Sequence, residues 1–177
     1  MGSNAAGPLL AVGGLLWMLW PIVSVLGLPP ATGRAVLALV VLVLLAGFVM
    51  YARGQKSNLA VGGALLAVAG LTIVLAAATV QFWLLPNEAA SPGLRRVVGA
   101  ADFAGLLGLY LGGLLIGLDL RRRPGAPAQT AGLLMFALPA AIVLLVLVAL
   151  AGLPFGDAFA THWPIGAALL LLGLSPR

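Results

Sequence analysis

The stretch RRVVGAADFAGLLGLYLGGLLIGLDLRRR, residues 95–123, decides the class of this chain. Between its flanking arginines only two residues are charged, Asp102 and Asp119. A helix needs about 20 apolar residues to cross a hydrocarbon layer about 30 Å thick, and this run supplies them. It does not alternate polar with apolar residues, and it far exceeds the ~10 residues of a membrane-barrel strand. A backbone that must satisfy its own hydrogen bonds in lipid is then a helix.

The remainder of the chain agrees. Of 177 residues, 63% are hydrophobic and 7% charged, with a mean hydropathy of +1.19. Soluble domains carry about 25% charged residues, so no soluble surface can be assembled from this composition. Working outward from the opening stretch, six apolar segments are expected, at about 7–28, 34–52, 59–85, 94–120, 129–153 and 155–174. Clusters of Pro, Gly and charge separate them: GLPPATGR, ARGQKSN, LPNEAASPG, RRRPGAPAQ and GLPFGD. The expected architecture is all-α: a single transmembrane helical domain over residues 1–177, a polytopic integral membrane bundle of six helices. The sixth segment reaches spanning length only if its helix passes through Pro164, and the alternative is a five-helix bundle with a half-inserted tail. The first segment has no basic residue before it and no small-x-small cleavage site soon after, which reads as a retained helix.

Charge sets the orientation. With six helices, Arg53, Lys56, Arg121, Arg122, Arg123 and Arg177 share one side, and Arg34, Arg95 and Arg96 the other. The basic excess marks the cytoplasmic face, which puts both termini there. The composition resembles that of small membrane proteins of GC-rich bacteria, so the expected location is a cell membrane, as a multi-pass protein of a bacterial inner membrane. The net charge of +5 does not indicate nucleic acid, because the basic residues form no stripe or cluster of the kind such binding needs. The partner of most of the surface is the lipid bilayer.

The absence of cysteine excludes disulfides and thiolate sites, and the chain has one histidine, His162, and four carboxylates, Glu88, Asp102, Asp119 and Asp157. No H-E-x-x-H, G-x-S-x-G or Walker-type loop is present. No catalytic residues, cofactor or metal are therefore expected. Glu88 and Asp157 read as loop charges, and Asp119 as a hydrated partner of the adjacent arginines.

Asp102 needs more. If its helix begins near Leu94, it lies about 12 Å along the axis, with no partner among its own helical neighbours. An ionised carboxylate at such depth costs a few kcal/mol or more. It is neutral, hydrated or paired with another helix; otherwise the helix begins only near Ala101 and Asp102 is a first-turn residue favoured by the helix dipole. Trp20, Gln81, His162 and Trp163 fall at similar depth, and with Asp102 they form a candidate ligand site in the outer half. The competing reading is an aromatic belt with a few inter-helix hydrogen bonds.

Glycine spacing points to close packing. Gly105, Gly108, Gly112, Gly113 and Gly117 line the fourth segment, and Gly63, Ala67 and Gly70 line the third. Small residues at such spacing let backbones approach, within one chain or toward a homo-oligomer or membrane partner. The expected function is that of an accessory or interaction subunit, or a binder of a small or lipophilic ligand, without a catalytic site. The alternatives are a small transport protein with Asp102 in proton or substrate coupling, and an intramembrane enzyme.

Overall fold

The computed structural model describes residues 5–26, 30–84, 91–123, 127–152 and 156–175. They form six helices: α1 (Ala6–Val25), α2 (Pro30–Arg53), α3 (Asn58–Leu84), α4 (Pro92–Arg122), α5 (Ala128–Ala151) and α6 (Gly156–Leu174). No strand occurs among the described residues. The expected segment ends Leu28, Leu85, Leu153 and Phe155 lie outside them, as do Glu88, Arg177 and the side chains of Arg34, Trp83 and Asp157. Helix α6 runs unbroken through Pro164.

Four helices contain spans long and apolar enough to cross a membrane: 35–53 in α2, 58–81 in α3, 92–122 in α4 and 129–151 in α5. Helices α1 and α6 carry shorter apolar stretches, 6–22 and 160–174.

The local sequence explains where the helices begin and stop. Ser91 caps α4, its Oγ accepting the Leu94 backbone N–H at 3.2 Å, and Pro92 occupies the first position, where a missing N–H costs nothing. Helix α5 ends on Gly152, whose φ of +63° is the left-handed conformation that glycine adopts without penalty.

The helices form a closed ring. Each packs on its neighbours in the chain, and α6 returns to pack on α1. Successive helices run antiparallel. A methyl group built on Gly13 of α1 would stand 2.5 Å from the Leu44 side chain, and one on Gly47 of α2 would stand 3.0 Å from Leu10. One apolar cluster with members from all six helices fills the centre, including the fully buried Trp17, Phe48, Leu71, Leu109 and Leu169.

Polar contacts fix which turns share an end. Arg123 donates to Gln55 at 2.6 Å, which brings the end of α4 onto the α2–α3 turn. At that same end Thr130 of α5 and Ser175 after α6 are hydrogen bonded at 2.9 Å. This is the end with Arg53, Lys56 and Arg121–Arg123, called the basic end below.

Candidate functional site

The glycines of α3 and α4 face each other. A methyl group on Gly105 would lie 2.6 Å from the Gly70 carbonyl oxygen, and one on Gly63 would lie 2.7 Å from the Gly112 oxygen. At Gly112 it would meet Ala67 at 2.8 Å, and at Gly108 the Gly70 Cα at 3.0 Å. Gly113 points instead toward Leu134 and Ile165, and Gly117 toward Ala131, Leu134 and Met135. All eight small residues expected to mediate packing therefore face helices of this same chain. A second backbone approach, missed from the sequence, joins α1 to α6. A methyl on Gly14 would lie 2.7 Å from the Gly166 oxygen, and one on Gly173 would meet the Gly7 oxygen at 2.5 Å. The signal was available: Gly7 and Gly14 are seven residues apart, as are Gly166 and Gly173, and seven residues is close to two helical turns.

Two prolines organise the polar contacts beside this seam. Pro21 lies inside α1 and Pro164 inside α6. A proline within a helix cannot donate to the carbonyl four residues back and disturbs the turn before it. In both helices the carbonyl three residues before the proline accepts from an aromatic side chain of another helix. Trp163 Nε1 donates to the Met18 oxygen at 2.9 Å, and Tyr110 Oη donates to the Thr161 oxygen at 2.7 Å. Neighbouring side chains commonly satisfy backbone groups around such prolines in apolar surroundings. His162 Nδ1 lies 2.9 Å from Thr161 Oγ1. The His162 ring also packs on that of Trp17, centroids 5.0 Å apart and planes inclined by 31°. Trp17 is fully buried, and its Nε1 has no acceptor among the described residues. Tyr110 and Thr161 were not singled out in the sequence, since an isolated Tyr or Thr in an apolar run carries no spacing signal.

The outer-half candidates are distributed over α1, α3, α4 and α6. His162 and Trp163 meet α1, as described. The Trp20 ring instead turns toward α2, where a methyl on Gly33 would lie 3.6 Å from it. Gln81 is half-buried near the end of α3. Asp102 is half-buried and forms no hydrogen bond or ion pair with a described residue, so none of these four serves as its donor.

The position of Asp102 follows from helix lengths. Thr161 is five residues from the start of α6, whereas its partner Tyr110 is eighteen from the start of α4. Helix α4 thus runs about 20 Å beyond the level at which α6 begins, at 1.5 Å per residue. Asp102 lies on this overhang, where most residues from Ser91 to Ala100 are exposed. The alternative in which the helix starts near Ala101 is corrected here, because α4 is continuous from Pro92 and Asp102 is in its third turn. The helix dipole has faded by that depth.

Asp119 also departs from expectation. It is buried rather than hydrated, at 6% exposure, and pairs with Arg123 one turn on at 2.5 Å. Arg123 thereby links a buried carboxylate to Gln55 of the α2–α3 turn.

A groove of about 410 Å³ opens between the end of α4 and the start of α5. Ala131 and Gly132 line it with Leu120, Met135 and Phe136, and Arg121 and Arg123 stand at its rim. Helix α5 touches α4 at Gly117, and Phe136 beside the groove is 65% exposed. No three His, Asp or Glu side chains among the described residues are grouped to hold a metal ion. No family model matches this chain, and no curated protein or solved structure is significantly similar to it.

Proposed function

We propose that this chain is a six-span inner-membrane protein with both termini in the cytoplasm, acting as an accessory or binding subunit rather than as a transporter or enzyme. The observation that carries this reading is the place of the α4–α5 groove. It lies on the outside of a bundle whose centre is filled by one apolar cluster. A transporter would direct its polar side chains into a shared cavity, as substrate sites near the bilayer midplane require. Here Tyr110 and Trp163 bond carbonyls beside prolines, Asp119 pairs with Arg123, and Asp102 stands on the overhang. A groove floored by Ala131 and Gly132 and open to the surroundings suits a lipophilic ligand or a partner helix.

Six spans are supported by length as well as by topology. The nineteen residues of α6 and twenty of α1 extend about 28–30 Å, comparable to the hydrocarbon layer. The six-to-three division of basic residues supports the orientation. Single cysteines introduced at Gln55 and Ser91 test it. A membrane-impermeant maleimide applied to intact cells should label residue 91 only, with residue 55 labelled after lysis. Labelling of both from the same side would overturn the six-span reading.

A further inference from the structure

We propose that the α4–α5 groove holds one anionic glycerophospholipid of the leaflet at the basic end, its phosphate on Arg121 and one acyl chain along α5. The inference rests on the membrane-spanning reading above and names the occupant of its groove.

The rim supplies charge that no described residue neutralises. Asp119 compensates Arg123, but Arg121 is exposed and forms no ion pair or hydrogen bond with a described residue, and the same holds for Arg122. The only other carboxylate on α4, Asp102, is seventeen residues from Asp119, about 26 Å along the axis. A guanidinium at the end of an apolar helix stands at headgroup depth, where it attracts anionic lipid. It also presents a fork of donors that matches phosphate oxygens.

The groove supplies the apolar half. Leu120, Met135 and Phe136 wall it, and Gly132 leaves its floor open, since a methyl there would meet nothing within 4 Å. From the groove an exposed apolar strip continues up α5. Phe136, Val143 and Leu147 are each more than half exposed and recur at spacings of seven and four residues, which keeps them on one helical face. From Phe136 to Leu147 the strip is about 16 Å long, half of a hydrocarbon layer of about 30 Å. That is the reach of a chain belonging to one leaflet. A charged rim at one end and an apolar track of one-leaflet length match a phospholipid better than a free anion or a partner helix.

Native mass spectrometry of the full chain in dodecyl maltoside, given equimolar dioleoyl phosphatidylglycerol and dioleoyl phosphatidylcholine, tests this. The parent protein should retain phosphatidylglycerol over phosphatidylcholine by about fivefold, the value expected for one arginine facing an anionic headgroup. Arg121→Gln should bring the ratio near parity, and Phe136→Ala should weaken retention of both lipids while leaving the ratio unchanged. Arg96→Gln, at the opposite end, should behave as the parent. Equal retention of the two lipids by the parent would overturn the proposal, as would loss of preference in Arg96→Gln to the same degree as in Arg121→Gln. Binding of glycerol phosphate as tightly as the lipid would also overturn it, by showing a site for a soluble anion. Because lipid selectivity is read in detergent, it can fail while the cysteine labelling succeeds, and the reverse.

Discussion

Arg123 joins the buried Asp119 to Gln55 of the α2–α3 turn, and its removal separates two effects. Arg123→Gln leaves Asp119 as a buried carboxylate with no cation, and breaking a buried pair in this way costs about 3–5 kcal/mol. Arg123 is 39% exposed, so surroundings at the bundle end share the burden, and a loss of about 1–3 kcal/mol is expected. Asp119→Asn in the same background should recover most of it, since the uncompensated charge is gone. Urea or thermal unfolding in detergent checks both, and equal stability of the single and double variants would show that the pair is not the cause. Tyr110→Phe removes one inter-helix hydrogen bond to the Thr161 carbonyl. Such bonds average about 0.6 kcal/mol and reach about 1.7 in membrane bundles. The carbonyl lies beside a proline, so the upper part of that range is expected. Asp102→Asn should change stability by less than about 0.5 kcal/mol, as for surface substitutions away from any special contact. A large loss there would mean that the carboxylate is held by something beyond the described residues.

At the scale of helices, two backbone seams hold the ring: α3 against α4, and α1 against α6. Gly112→Leu should disrupt the first, because even a methyl would meet Ala67 at 2.8 Å. Overpacking costs about 1–3 kcal/mol where side chains can yield, and more where the obstacle is backbone, as here. Gly99→Ala is the matched control on the same helix, with nothing within 4 Å of an added methyl. It should stabilise by about 0.5–1 kcal/mol through helix propensity. The two variants unfolding at the same temperature would remove the case for the seam.

The α3–α4 seam was legible in the sequence because its glycines recur within one or two turns. The α1–α6 seam was not read, because its glycines are paired across helices separated by most of the chain, and each helix alone shows only one seven-residue repeat. The helix ends lie within four residues of those the sequence implies, since runs of apolar residues bounded by Pro and Gly leave little choice. The candidate site was legible only in fragments. His162 and Trp163 were identified, but their partners Trp17 and Met18 depend on how α1 and α6 are rotated, and an apolar helix with no polar face gives no clue to its rotation. Asp102 stood out as a charge in an apolar run, yet its exposure depends on α4 outrunning α6, a comparison of lengths that only the Tyr110–Thr161 contact anchors.

For the whole molecule, the closed ring makes the first and last helices mutually dependent. A chain ending at residue 152 lacks α6 and uncovers Gly14 together with the carbonyl of Met18 that Trp163 satisfies. Such a truncation is expected to lose cooperative unfolding in detergent, whereas a single-span appendage would leave the remaining melt unchanged. Circular dichroism against temperature decides between these.

That closure also sets a timetable for synthesis. Helix α1 is made before α2–α5, and its partner across the seam, α6, after them. About 150 residues separate their completion, and at ~5–20 residues per second the interval is roughly 7–30 s. Throughout it, the α1 glycine face and the ring of Trp17 lack the α6 residues that pack on them. Until α6 follows, α1 has only α2 of its two ring neighbours to pack on. The ring can close only once α6 has followed α5, so a stall in elongation between them leaves an open, five-helix precursor.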